Sequence, residues 1–203
     1  MKKLSVLIIA ALALAGCESS PDKPEPEPTT TQTESAQPTT QAPETSDPDI
    51  DNTDDADLPP FTSGAYESDD PFALNAQMFP VTVRVGVQDG YDRLVVEYTD
   101  AEGLPGYFTD GFTPELLGQG AGMPIDIDGE ALIQIMVSGI RYPTPDENPD
   151  LEPDIPTGSV ITDVQVSYPF EGMHEINIGL DAEREYRIFY LEDPSRIVID
   201  FKK

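Results

Sequence analysis

Val81-Thr82-Val83-Arg84-Val85-Gly86-Val87-Gln88-Asp89-Gly90-Tyr91-Asp92-Arg93-Leu94-Val95-Val96-Glu97-Tyr98 decides the fold. In its first half the valines alternate strictly with other residues, which is the period of a strand with one buried face. Asp89-Gly90 then supplies two residues that tolerate positive φ, so a tight hairpin is predicted. Tyr91 to Tyr98 returns as the second strand. β-branched and aromatic side chains fill both runs, and a helical period fits neither.

The same pattern continues outward from this hairpin. Pro105-Gly106-Tyr107-Phe108 reads as a shorter strand, and Pro114-Glu115-Leu116-Leu117 as one helical turn before a glycine-rich loop. Ile125-Asp126-Ile127 leads through Asp128-Gly129 into a strand over Ala131 to Val137. Residues 143–156 hold prolines and acids without apolar alternation and read as a surface loop. Val160, Thr162, Val164 and Val166 are placed on one face of the next strand. Ile176, Ile178 and Leu180 mark another, and Tyr186, Ile188 and Tyr190 one more. A turn at Glu192-Asp193-Pro194-Ser195 precedes the last strand, Arg196 to Phe201. The expectation is all-β: a single β-sandwich of about eight short strands over residues 79–203, preceded by a loosely attached lead-in at 61–78.

The N-terminal third is different. Met1-Lys2-Lys3 is cationic, Leu4 to Leu14 is apolar, and Leu14-Ala15-Gly16-Cys17 ends the run at the only cysteine of the chain. The apolar run is about half the roughly 20 residues that span a bilayer. It fits a signal peptide over residues 1–16. The segment resembles a bacterial lipoprotein signal with its lipobox. That resemblance implies a diacylglycerol on the Cys17 thiol and cleavage just before Cys17. From Cys17 to Pro60 proline, threonine and acids dominate, with Ile50 and Leu58 as the only large apolar side chains. Such a stretch buries too little surface to offset its ordering entropy and reads as a disordered tether. A flexible coil of that length reaches on the order of 35–40 Å. With no second cysteine, no intrachain disulfide supports the domain.

The chain carries a formal net charge of −28 over 203 residues. Nucleic acid is therefore not an expected partner, since phosphate recognition needs a basic patch. Direct adhesion to anionic lipid is disfavoured as well.

Gly90 to Tyr98, Pro105-Gly106-Tyr107, Gly179-Leu180-Asp181, Tyr186-Arg187-Ile188-Phe189 and Pro194-Ser195-Arg196-Ile197-Val198-Ile199-Asp200 together resemble the AMIN-like domain of exported actinobacterial proteins and lipoproteins. The resemblance covers the whole globular part. It implies a β-sandwich that localises or binds at the cell wall and is not an enzyme.

Candidate chemistry is sparse. His174, the single histidine, has the strand parity of Ile176 and Ile178 and is expected at the edge of the apolar face. No nucleophile elbow is present, and zinc ligands are lacking. Asp126-x-Asp128-Gly129 reads as a strand end and turn. The loop 146–154 reads first as a solvated loop and second as a weak calcium site. No cofactor and no metal are assigned. Six arginines stand out in an acidic domain. Tyr91, Arg93, Tyr107, Arg187 and Arg196 are the candidate ligand contacts, on a polar sheet face. There tyrosine rings would stack on sugars and guanidinium groups would grip a peptide carboxylate. The alternative reading of these residues is arginines paired with acids and tyrosines packed into the sandwich. Together the features predict a non-enzymatic protein held on the outer side of the cell membrane by the Cys17 lipid. Peptidoglycan or an envelope protein is its expected partner. An envelope glycan hydrolase using paired carboxylates is the alternative.

Overall fold

The computed structural model describes residues 58–203. The signal peptide, Cys17 and the tether up to residue 57 lie outside the described residues. Among the described residues ten strands run β1 Tyr66–Glu67, β2 Pro80–Val87, β3 Tyr91–Tyr98, β4 Gly106–Thr109, β5 Phe112–Thr113, β6 Ala131–Ser138, β7 Ile161–Val166, β8 Met173–Leu180, β9 Tyr186–Leu191 and β10 Arg196–Lys202. They form two antiparallel sheets. The smaller has the order β2-β3-β10-β9, and the larger β1-β4-β6-β8-β7 with β5 also on β6. The all-β expectation holds. The added strands are the two-residue β1 and β5, too short to show any period in sequence.

The opening hairpin forms as read, with Gly90 at φ 87° and Gln88 N donating to Tyr91 O at 3.0 Å. From the small sheet, Val83, Val85, Leu94, Val96, Ile188, Ile197, Ile199 and Phe201 enter the core. Ile133, Ile135, Val137, Ile161, Val164, Ile176, Ile178 and Leu180 enter from the large one. Each aliphatic side chain so buried contributes about 1.5–3 kcal/mol of transfer free energy.

Three expectations are corrected. Residues 61–78 are not a loose lead-in: β1 pairs with β4, and Ala76 and Met78 are fully buried core residues. Met78 N donates to Gly139 O at 3.0 Å and Arg141 N to Met78 O at 2.9 Å, so this segment threads into the sandwich. Residues 114–117 make no helical turn; Leu117 bridges to Pro124 and closes a loop instead. In β7 the register against β8 slips between Ile161 and Asp163. The extra residue turns Thr162 out to solvent and brings both Val160 and Ile161 inward, so strict alternation fails there. The loop at 143–156 is a loop, but Asp150 adds a short parallel bridge to β2 through Val81 O and Val83 N.

Candidate functional site

Antiparallel sheets in a sandwich usually wet their outer faces. Here both outer faces are partly covered, and the cover determines which side chains can meet a ligand. On the small sheet, Arg93, Arg187 and Asp200 come from adjacent strands and point away from the core. Arg93 Nε and Nη2 donate to Asp200 Oδ1 and Oδ2 at 2.6 and 2.8 Å, and Arg187 Nε donates to Oδ2 at 2.7 Å. Arg93 is 4% exposed, Arg187 5% and Asp200 0%. Burial pulls the Arg93 guanidinium down, but its bonds to Asp200 more than offset this and leave it raised. The Tyr91 ring lies 5.0 Å from the Arg93 guanidinium and 5.4 Å from that of Arg187. Phe61 stacks on Arg187 at 4.6 Å. Beside this cluster Val95, Phe189 and Val198 form a second small core with Leu58 and Leu191. Thr62 and Tyr186 exchange backbone hydrogen bonds at 2.7 and 2.8 Å, which fixes residues 58–62 across β9.

The five sequence candidates therefore do not share one open face. Tyr91, Arg93 and Arg187 are brought together, closed by Asp200 and Phe61. Arg196 is buried at the start of β10 with its Nε donating to Pro194 O at 3.1 Å. Tyr107 lies on the other sheet, its ring stacked on Tyr66 at 6.4 Å. Burial, Tyr66 and Asp69 push its hydroxyl up to about 12. His174 lies in the core rather than at its edge, fully buried, with Tyr98 Oη 2.9 Å from its Nε2. Burial holds the imidazole down at about 3 and pushes the Tyr98 hydroxyl well up. Those shifts keep both groups neutral, as a structural cross-link between the sheets requires.

The open site is on the outer face of the large sheet, which sequence reasoning did not single out. Glu175 and Asn177 alternate with the core residues His174, Ile176 and Ile178, so they point outward, yet both are buried. The loop after Leu116 covers them. It is closed by Gly118 N donating to Met123 O at 2.8 Å, and pinned by Gln119 N donating to Glu175 Oε1 at 2.6 Å. Gln134 Nε2 donates to Asn177 Oδ1 at 2.8 Å. Between this loop and the segment after β7 a recess of about 330 Å³ remains, lined by Gln119, Gln165, Tyr168, Phe170, Glu175 and Asn177 among others. Tyr168 and Phe170 stand exposed at its edge. Burial pushes the Glu175 carboxyl up, against the hydrogen bonds it accepts. A signal was present in the sequence: two polar residues, Glu175 and Asn177, alternating with Ile176 and Ile178. Nothing local said that a loop from residue 116 onward would roof them.

The buried acids Asp92, Glu175 and Asp200 each face donors rather than one another. No group of three histidine, cysteine, aspartate or glutamate side chains converges as a metal site among the described residues. In the acidic loop, Glu147 is already held by Arg141 Nη1 and Nη2 at 2.8 and 2.5 Å. A family model for the AMIN-like domain matches residues 79–203. The chain belongs to that family. Neither the curated proteins nor the solved structures gave a match. The AMIN-like match begins at Phe79, one residue after the buried Met78. Membership speaks for a non-catalytic, wall-associated module that works outside the cytoplasm.

Proposed function

We propose that this is a lipid-anchored envelope protein whose AMIN-like sandwich binds peptidoglycan without turning it over. The observation that carries the reading is the AMIN-like match across residues 79–203. Two others support it. Arg93 and Arg187 are consumed by Asp200, so on this reading they and Tyr91 shape the small sheet, while ligand contact falls to the open face of the large one. The buried carboxylates Asp92, Glu175 and Asp200 each face donors and not one another, an arrangement suited to architecture rather than to a glycosidic acid–base pair. Cys17 carries the acyl anchor, and the acidic stretch behind it holds the domain away from anionic lipid that its charge avoids.

Metabolic labelling and wall binding test the proposal together. The full chain is expected to take up labelled palmitate and to be retained on purified peptidoglycan without releasing soluble fragments. Cys17→Ala is expected to lose the label and leave the membrane fraction while the protein still binds the wall. Equal labelling of the variant, or no retention of the parent, overturns the corresponding half.

A further inference from the structure

Positive charge is confined to one side of the sandwich. Over residues 94–183 the only lysine or arginine is Arg141, against eighteen acids, and Arg141 is itself engaged by Glu147. No strand of the large sheet carries a lysine or arginine, whereas Arg84, Arg93, Arg187, Arg196 and Lys202 all lie on strands of the small one. The large-sheet side therefore favours a cationic partner.

The sheet edges differ in the same sense. β2 exchanges backbone hydrogen bonds with Asp150, and β9 with Thr62. β1 is only two residues long. Bridged or very short edges resist further pairing. Opposite β8, no segment forms a bridge to β7 among the described residues. Asp163 Oδ1 accepts from Val164 N at 2.8 Å and closes the first half of that edge. The second half stays open. Ser167 N donates inward to Glu175 O at 2.9 Å, so antiparallel alternation turns Val164 O, Val166 N, Val166 O and Tyr168 N away from β8. Acids flank this edge. Asp126 and Asp128 are exposed beside it, where Gln165 Nε2 donates to Asp126 O at 2.6 Å and Thr162 Oγ1 to Asp128 O at 2.5 Å. The donors to the Asp163 carboxylate are the backbone N–H groups of Asp128 and Val164, which leave its charge uncompensated. At the end of the edge the Tyr168 side chain is 65% exposed.

We propose that the edge at residues 164–168 takes an extended cationic segment of a partner protein as an added strand of the large sheet. The backbone of that segment pairs with Val164 O, Val166 N and O, and Tyr168 N. On one face its lysines or arginines meet Asp126, Asp163 and the Tyr168 ring. On the other its apolar side chains extend the core beside half-buried Val166. This partner is additional to the wall, and the proposal stands or falls independently of wall retention.

NMR titration of the full chain with a short peptide of alternating lysine and valine tests it. The controls are the same peptide N-methylated at every residue, which keeps the charge but has no backbone donor, the same peptide with glutamate for lysine, and spermine. The lysine peptide is expected to bind at least about tenfold more tightly than its N-methylated form, because the donors to Val164 O and Val166 O together are worth about that factor. Its glutamate counterpart should not bind. Amide exchange at Val166 and Tyr168 should slow on binding, with that of Val85 on β2 unchanged. Gln165→Lys, which sets a cation on an exposed position of the edge, should weaken binding about threefold. Val166→Pro deletes an edge donor and should weaken it about tenfold, with a thermal melt showing that the variant is folded. Equal affinity for the N-methylated peptide or for spermine would mean that charge alone holds the ligand, and overturns the proposal. So would no binding of the lysine peptide, protection that misses Val166 and Tyr168, or Gln165→Lys binding like the parent.

Discussion

Two groups define the residue scale, and both act through burial. Asp200 is completely buried yet accepts from two arginines, so three charges are held where water is scarce. Removing one partner of such an assembly leaves an uncompensated buried charge, which destabilises far more than an exposed pair does. His174 behaves oppositely, kept neutral by the same low polarity. Its folded pKa of about 3 lies below the ordinary 6.5. As pH falls, the unfolded chain takes up the proton first. The contribution of His174 is therefore complete above about 6.5 and is lost progressively toward about 3. Thermal melts of the parent and His174→Gln across that range isolate this contribution. The parent is expected to lose more stability on acidification than the variant, which keeps a polar partner for Tyr98 but does not titrate. Parallel pH profiles would show that the imidazole carries no such linkage. The parity of His174 with Ile176 was readable from the chain; its depth was not, because Tyr98 reaches it from the opposite sheet.

Elements pack as closely as their glycines allow. Asp128 and Gly129 cross the outer face of β8 at Gly179. A Cβ on Gly179 would fall inside the contact shell of Asp128 O and lie 3.1 Å from Thr162 Oγ1. One on Gly129 would lie 2.8 Å from the Gly179 Cα. The two backbones touch, so neither neighbour can swing aside as a side chain would. Gly179→Ala is expected to destabilise by about 1–3 kcal/mol, the range of overpacking in a filled site. Urea unfolding followed by circular dichroism measures this, and an unchanged midpoint would mean that the crossing segment relaxes freely. Gly179 and Gly129 also show why this crossing was not legible. A glycine in a strand signals a close approach by something; only the folded chain says that it is residue 128. The β7 slip is similar. Val160, Thr162, Val164 and Val166 alternate in sequence, but the register against β8 overrides local period.

At the scale of the molecule, the AMIN-like match and the folded unit have different boundaries. The match starts at Phe79, whereas Ala76 and Met78 are buried and Glu102 N donates to Ala76 O at 2.7 Å. A fragment of residues 79–203 should therefore be less stable than one of residues 58–203 by several kcal/mol. It loses one buried methionine at about 1.5–3 kcal/mol together with the β1–β4 pairing. Chemical unfolding of the two fragments compares them directly, and equal midpoints would restrict the domain to the matched residues. The sequence by itself determined the all-β class, the opening hairpin, the order of the longer strands, the acidic N-terminal stretch and the AMIN-like resemblance. The first four follow from composition or from periods only a few residues long; the resemblance rests on motifs such as Gly90 to Tyr98, Tyr186 to Phe189 and Pro194 to Asp200 taken together. Tertiary structure alone decided that Arg93 and Arg187 share Asp200, that Tyr107 sits apart from them, and that residues 58–78 belong to the fold. It alone placed an open recess beside Glu175. The Arg93–Asp200 pair joins residues 107 positions apart, and Gln119 and Glu175 are 56 apart. Pairings across such separations are selected by sheet register and loop path, which no local pattern encodes.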